Sequence, residues 1–318
     1  MLQTIKVVAV AVLLAAVAAP ASVQAASVGG VVGSDVPQSS GAVFEYWTQE
    51  RMDAALPAVP VATAGPLEGI GDLADRDEAD SARRAPAKEI PNPRRGKLKT
   101  NGKVFFSEGL NDFVCSGTVV RSKTKSLVVT AGHCTFSGGS QVDNFMFVPA
   151  KDGNNEPFGR WSATRLATTS QWASSDDTRY DVGIATMAER QGKKIQNVVG
   201  ARGISFNREG NQRFRAFGYP QGPPFGGQNL FVCKSQQEGT DSRMNQPRPN
   251  RIDCNMTGGS SGGGWLVGKG KVNSVVSYGY ECTSVVIIVF PCDNPEDGKL
   301  FGPYFGDVIK QLYRSEKR

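Results

Sequence analysis

From about Gly96 onward, short apolar runs alternate with turn signals. They include Val104-Phe105-Phe106, Gly117-Thr118-Val119-Val120, Leu127-Val128-Val129-Thr130, Phe145-Met146-Phe147-Val148 and Val182-Gly183-Ile184-Ala185. Phe214 to Tyr219, Trp265-Leu266-Val267, Val272 to Ser277 and Val285 to Phe290 continue the series. Many positions are β-branched or aromatic, which fits a half-buried pleated surface. The pattern predicts a many-stranded antiparallel barrel or sandwich. Only the tail changes period: Tyr304, Val308, Ile309 and Leu312 stand at helical spacing and predict an amphipathic C-terminal helix over Tyr304–Tyr313.

The first 95 residues have a different texture. Met1 to Lys6 carries one positive charge, Val7 to Ala19 is apolar, and Val23-Gln24-Ala25 fits a small-x-small cleavage site. This pattern predicts an export signal over residues 1–25, too short in its apolar part to span a bilayer comfortably. Residues 26–95 are rich in Ala, Pro, Gly and charge, lack cysteine, and end at Pro91-Asn92-Pro93-Arg94-Arg95. They are expected to be a largely irregular linker or propeptide, with one short amphipathic helix over Phe44 to Ala55 that contacts the main domain. Residues 96–318 form that domain.

Composition narrows the picture. The 318 residues include 37 glycines and 18 prolines, which favour turn-rich β architecture, and 39% hydrophobic residues, enough for a folded core. The net charge of +6 is scattered, without a basic stripe interleaved with aromatics, so nucleic acid is not an expected partner. Six cysteines occur, at 115, 134, 233, 254, 282 and 292, none in a CxxC pair. In an exported chain they predict three disulfides, with fifteen pairings formally open. A zinc site is disfavoured, since the chain has a single histidine. No calcium-loop spacing is visible.

Three local motifs carry candidate chemistry. Thr130-Ala131-Gly132-His133-Cys134 ends an apolar strand with an imidazole, the side chain that titrates near neutrality and can take and return a proton. Arg179-Tyr180-Asp181-Val182-Gly183-Ile184-Ala185 opens an apolar strand with a carboxylate whose burial demands a partner, and an imidazole N–H would serve. Asp143, Asp176 and Asp177 lack that context. Thr257-Gly258-Gly259-Ser260-Ser261-Gly262-Gly263-Gly264-Trp265 lets the backbone turn sharply, exposing a serine hydroxyl beside N–H donors. The order His, Asp, Ser excludes an α/β-hydrolase, whose histidine comes last.

With these motifs the chain resembles the trypsin-like, chymotrypsin-fold serine proteases over roughly residues 100 to 316, in the bacterial secreted branch near the glutamyl endopeptidases. The resemblance implies two antiparallel six-stranded β-barrels with a C-terminal helix. It implies a secreted, monomeric endopeptidase acting on proteins or peptides, without cofactor or metal, and free of the membrane once its signal is cut. Ser261 would be the nucleophile, His133 the general base, Asp181 its orienting carboxylate, and the N–H groups of Gly259 and Ser261 the oxyanion donors. Asn255, Thr257, Ser277, Tyr278 and Gly279 would line the substrate site. The implied disulfides are Cys115–Cys134, Cys233–Cys254 and Cys282–Cys292.

Departures from the family pattern matter too. Ser260 replaces the aspartate that receives a freed N-terminus in trypsin-like zymogens, and no Ile-Val-Gly-Gly start follows Arg95. Removal of the propeptide near Arg94-Arg95 without N-terminal insertion is therefore expected. Gly264 stands where proline is usual. Asn255 rules out an acidic pocket base, and the absence of a second histidine removes the usual means of holding a glutamate side chain. Asn255-Met256-Thr257 matches a glycosylation sequon by chance. The competing expectation is a catalytically silent binding module of the same fold.

Overall fold

The computed structural model describes residues 26–28, 30–60, 86–280 and 299–317. Six antiparallel strands form a closed barrel in the order Trp161–Thr169, Asp143–Pro149, Asn101–Glu108, Asn111–Val120, Leu127–Thr130 and Gly183–Met187. Closure comes from Gly183–Met187 pairing back onto Trp161–Thr169. A second sheet runs Lys271–Val275, Gly264–Val267, Arg213–Gly218, Phe231–Thr240, Asn250–Ile252, Leu300–Gly302 and Tyr278–Gly279. Among the described residues this second sheet does not close, so the expectation of two six-stranded barrels becomes one barrel and a half-barrel. The Val285 to Phe290 run, the Cys282–Cys292 pair and the export signal lie outside the described residues.

Strand alternation explains the cores. Val104, Phe106, Cys115, Val119, Val128 and Phe147 point into the barrel. Leu127, Val129 and Ile184 point the other way and meet Phe217, Tyr219, Leu266 and Val272 of the second sheet. The candidate motifs at the ends of these strands are thus carried on two packed units. The C-terminal helix, Asp307–Glu316, lays Ile309 and Leu312 on that shared core together with Phe305. It starts three residues later than expected, because Tyr304 to Gly306 make a turn closed by Gly306 N–H to Tyr304 O, 2.8 Å. No helix among the described residues is long and apolar enough to cross a membrane.

The N-terminal segment departs from expectation most. Residues 31–60 are ordered rather than irregular. Val31–Asp35 adds a strand to Trp161–Thr169. The single helix expected over Phe44 to Ala55 is two, Ser40–Tyr46 and Gln49–Ala54, because Ser39 and Thr48 each cap a new start: their hydroxyls accept from Ala42 N–H at 3.3 Å and Arg51 N–H at 3.2 Å. Leu56–Pro57 then pairs in parallel with Phe113 and Val114. The physical cause is an apolar outer barrel face. Phe105, Val114, Met146 and Val148 point outward and are covered by Val43, Trp47, Met52 and Ala55. Trp47 is wholly buried and donates its indole N–H to Asn144 O at 2.7 Å. Burying side chains of this size stabilises by about 1.5–3 kcal/mol each, which offsets the ordering of an alanine- and proline-rich stretch.

Burial also reaches two lysines. Lys103, on the barrel, donates to Gly227 O at 2.9 Å and Gln221 Oε1 at 3.3 Å. Desolvation, then the neighbouring Lys151 charge, pushes its amine down to about 7. Lys151 is lowered as well, chiefly by burial.

Candidate active site

His133 follows the Leu127–Thr130 strand in a short 3-10 turn, Gly132–Cys134. Asp181 precedes the partner strand Gly183–Met187, so the strand pairing itself brings the two residues together. The Asp181 side chain is wholly buried and is engaged through both oxygens. Oδ1 accepts the His133 backbone N–H at 2.8 Å, and Oδ2 lies 2.8 Å from His133 Nδ1. Oδ2 also accepts a hydrogen bond from the Ser277 hydroxyl. Three donors on one carboxylate offset the cost of burying it. Gly132 permits this approach: a Cβ there would lie 2.8 Å from Asp181 Oδ1 and 2.7 Å from Trp172. Trp172 closes the outer side, its ring 6.0 Å from the imidazole. His133 Nε2 is buried and has no hydrogen-bond partner among the described residues.

The serine loop is held by the barrel strand Asn111–Val120. Ser116 N–H donates to Ser261 O at 2.7 Å, and the Ser116 hydroxyl donates to Gly259 O at 2.9 Å. Gly264 N–H donates to the Thr118 hydroxyl at 3.2 Å. Immediately before Ser116, Cys115 is bonded to Cys134, which ties the same strand to the histidine turn. Closing a loop of this length stabilises by about 3 kcal/mol in the chain-entropy account. Gly262, at φ +81°, is the position where the loop presses hardest on the barrel: a Cβ would lie 2.0 Å from Thr130 Oγ1. No described acceptor takes a hydrogen bond from the N–H of Gly259 or Ser261. Ser260 turns its hydroxyl to Thr257 O at 2.7 Å, holding the loop without an ion pair. The hydroxyl of Ser261 is buried and donates to Ala58 O at 3.4 Å.

The residues expected to line a substrate site are dispersed in what they do. Ser277 sits on Asp181. Tyr278 stacks on Phe301, with ring centroids 5.0 Å apart, and donates its hydroxyl to Asp241 Oδ2 at 2.5 Å. Tyr280 donates to the same oxygen at 2.9 Å. Burial and the bond to the Asp241 carboxylate raise both phenols above their ordinary value. Gly279 pairs with Leu300. Asn255 Oδ1 accepts from Ala87 N–H at 2.6 Å, and Thr257 donates its hydroxyl to Gly222 O at 3.0 Å. A second disulfide joins Cys233 to Cys254 immediately before Asn255. Cys115, His133 and Cys134 bring potential metal-ligating atoms within 4.8 Å, but the two sulfurs are bonded to each other and offer no thiolate. Sequence reasoning missed Trp172, Gln221 and the buried Asp241. It also gave Ser277 a substrate contact rather than a bond to Asp181.

The family model of the trypsin-like peptidase domain matches residues 115–273. Among solved structures, the protease Anisep from Arthrobacter nicotinovorans is 36% identical, with 73% of this chain and 99% of that chain covered and a TM-score of 0.64. The thermostable serine protease AL20 from an extremophilic microorganism is 38% identical, with 69% and 97% covered and a TM-score of 0.61. A Glu endopeptidase shares the fold at 16% identity, with 73% and 96% covered and a TM-score of 0.56. A curated relative, an extracellular metalloprotease of Bacillus subtilis (strain 168), is 32% identical over 82 residues, 26% of this chain; the chain spans only 25% of that relative's length.

Proposed function

Since the chain belongs to the trypsin-like peptidase family, we propose that it is a secreted serine endopeptidase whose triad is Ser261, His133 and Asp181. The observation that carries this reading is the buried His133–Asp181 pair with Nε2 left free of any described partner. A carboxylate on Nδ1 holds the proton there, so the lone pair is on Nε2, on the side where a base must work. In the reaction, Ser261 Oγ attacks the scissile carbonyl carbon as its proton passes to Nε2. The oxygen gains the negative charge and faces the N–H groups of Gly259 and Ser261. Nε2–H then protonates the departing amine, leaving an acyl-enzyme. Water, deprotonated by Nε2, repeats the addition, and Ser261 recovers its proton as the acid leaves. Asp181 keeps its charge throughout and stabilises the imidazolium. Ser277 fixes the carboxylate and so acts as a positioning residue.

Residues 1–25 serve as the export signal, and 26–95 as a propeptide removed without insertion of a new N-terminus. The Ser260–Thr257 contact supports the latter, because the serine loop keeps its shape with no ion pair to a terminus. The two disulfides, Cys115–Cys134 and Cys233–Cys254, support an oxidising destination.

The test is fluorophosphonate labelling and peptide hydrolysis by processed enzyme. Wild type is expected to label and Ser261→Ala not to. His133→Ala should lower kcat/KM by roughly 10^5-fold. Equal labelling of wild type and Ser261→Ala, or a loss under about tenfold for His133→Ala, would overturn the assignment.

A further inference from the structure

Of the N-terminal segment, the residues that follow the second helix reach furthest toward Ser261. Ala55 O accepts from Gln221 Nε2 at 2.8 Å. The orientation of that amide is set from behind, where Lys103 Nζ donates to Gln221 Oε1. Pro57 rests on Gly258, so close that a Cβ added there would meet the Pro57 Cβ at 2.8 Å. Ala58 N–H donates to Val114 O at 3.1 Å, and Ala58 O takes the hydroxyl of Ser261. Ala55 and Ala58 are buried. This is an extended peptide bound through its backbone between a strand edge and a loop wall, the usual way a cleft holds a peptide.

The bound segment is not posed for cleavage. Attack requires Ser261 Oγ over the carbonyl carbon, with the carbonyl oxygen turned to the N–H groups of Gly259 and Ser261. Here the oxygen of Ala58 faces the hydroxyl itself, and those two N–H groups have no described acceptor. The segment is also firmly anchored upstream. Trp47, Val43 and Met52 fill the outer barrel face. Tyr46 donates to Asp112 at 2.7 Å, and Arg51 pairs with the same carboxylate at 3.0 Å.

We infer that the edge of the Asn111–Val120 strand, with Gln221 and Gly258, is an inhibitor-binding site whose ligand is the chain's own Ala55–Ala58, an extended, uncharged, proline-containing peptide. The inference rests on Ser261 being the nucleophile. It goes further, because the occupant covers the serine and leaves His133 Nε2 without a partner. The helices Ser40–Tyr46 and Gln49–Ala54 supply the affinity, and residues 55–58 supply the block. A chain cut downstream of Pro60 therefore stays inhibited until the anchored piece dissociates or is digested.

The test compares intact full-length chains, their masses verified, for the rate of fluorophosphonate labelling. Wild type is expected to label slowly. Ala58→Glu, which puts a charge into a buried contact, should label about tenfold faster or more, as the open fraction rises. Pro57→Gly, which removes the packing on Gly258 without adding bulk, should move the rate in the same direction and serves if the first variant fails to fold. Equal rates in wild type and variant would overturn the inference and leave the nucleophile standing. If no form labels, the serine-protease reading fails and the inference falls with it. Where wild type does label, exchange of its Ala58 N–H as fast as in an unstructured peptide would also overturn the inference.

Discussion

The two halves of the candidate site differ in how their polar groups are satisfied. On the barrel side, Asp181 is saturated by His133 and Ser277, and every partner belongs to the folded domain. On the other side, the Ser261 hydroxyl finds its acceptor in Ala58, far upstream in the chain. The first half is preorganised by strand pairing and needs nothing further. The second is complete as a backbone and occupied as a side chain. Positioning and access are thus separable here: the imidazole of His133 is set by the barrel, whereas the hydroxyl of Ser261 is covered by a segment from far upstream.

The comparison can be broken most severely at Asp181. Asp181→Asn keeps the shape but favours the wrong imidazole tautomer, so kcat should fall on the order of 10^4-fold with KM little changed. A loss below about a hundredfold in steady-state assays of the processed enzyme would mean that the carboxylate does not orient the base. Ser277→Ala sharpens the same side. Removing one donor from a buried carboxylate costs about 1.5–3 kcal/mol, and if most of it falls on the transition state kcat drops roughly tenfold to a hundredfold. An effect confined to KM would instead make Ser277 a substrate contact.

The smallest effect concerns the Lys103–Gln221 support behind the occupied half. With the folded-state value near 7 and the ordinary value at 10.5, the unfolded chain holds a proton between these limits that the folded chain lacks. Stability must therefore rise with pH across that window. Lys103→Met removes the titration. The melting temperature of wild type should climb relative to this variant from pH 7 to 10, whatever the constant offset from the lost hydrogen bonds. Parallel curves would show that Lys103 stays charged in the folded protein.

Much of the barrel side was legible in the sequence. His133 and Asp181 each sit at the end of a β-branched run, and two such strands pair side by side, so neighbouring motifs become neighbouring side chains. Ser261 was legible from the glycines around it, whose absent side chains allow the loop to lie against Ser116 and Thr130. The N-terminal segment was not. Ala55 and Ala58 bind through backbone groups, which leave no mark on residue type, and an Ala- and Pro-rich composition looks like a linker. The available signal lay elsewhere: Val104, Phe105 and Phe106 are consecutive and all buried, and a strand apolar on both faces needs a cover on its outer one. Ser277 was legible as a residue but not as a partner of Asp181, because its hydroxyl gives no indication of which acceptor it will find.

The Asn111–Val120 strand holds every one of these parts within five residues. Val114 receives the segment, Cys115 is bridged to the histidine turn, Ser116 carries the serine loop, and Thr118 takes Gly264. In genetic terms the strand is pleiotropic. A substitution between Val114 and Thr118 is expected to disturb the Ala58 contact, the His133 turn and the Ser261 loop together. If the proposed block holds, variants that separate latency from turnover belong in the N-terminal segment rather than in this strand.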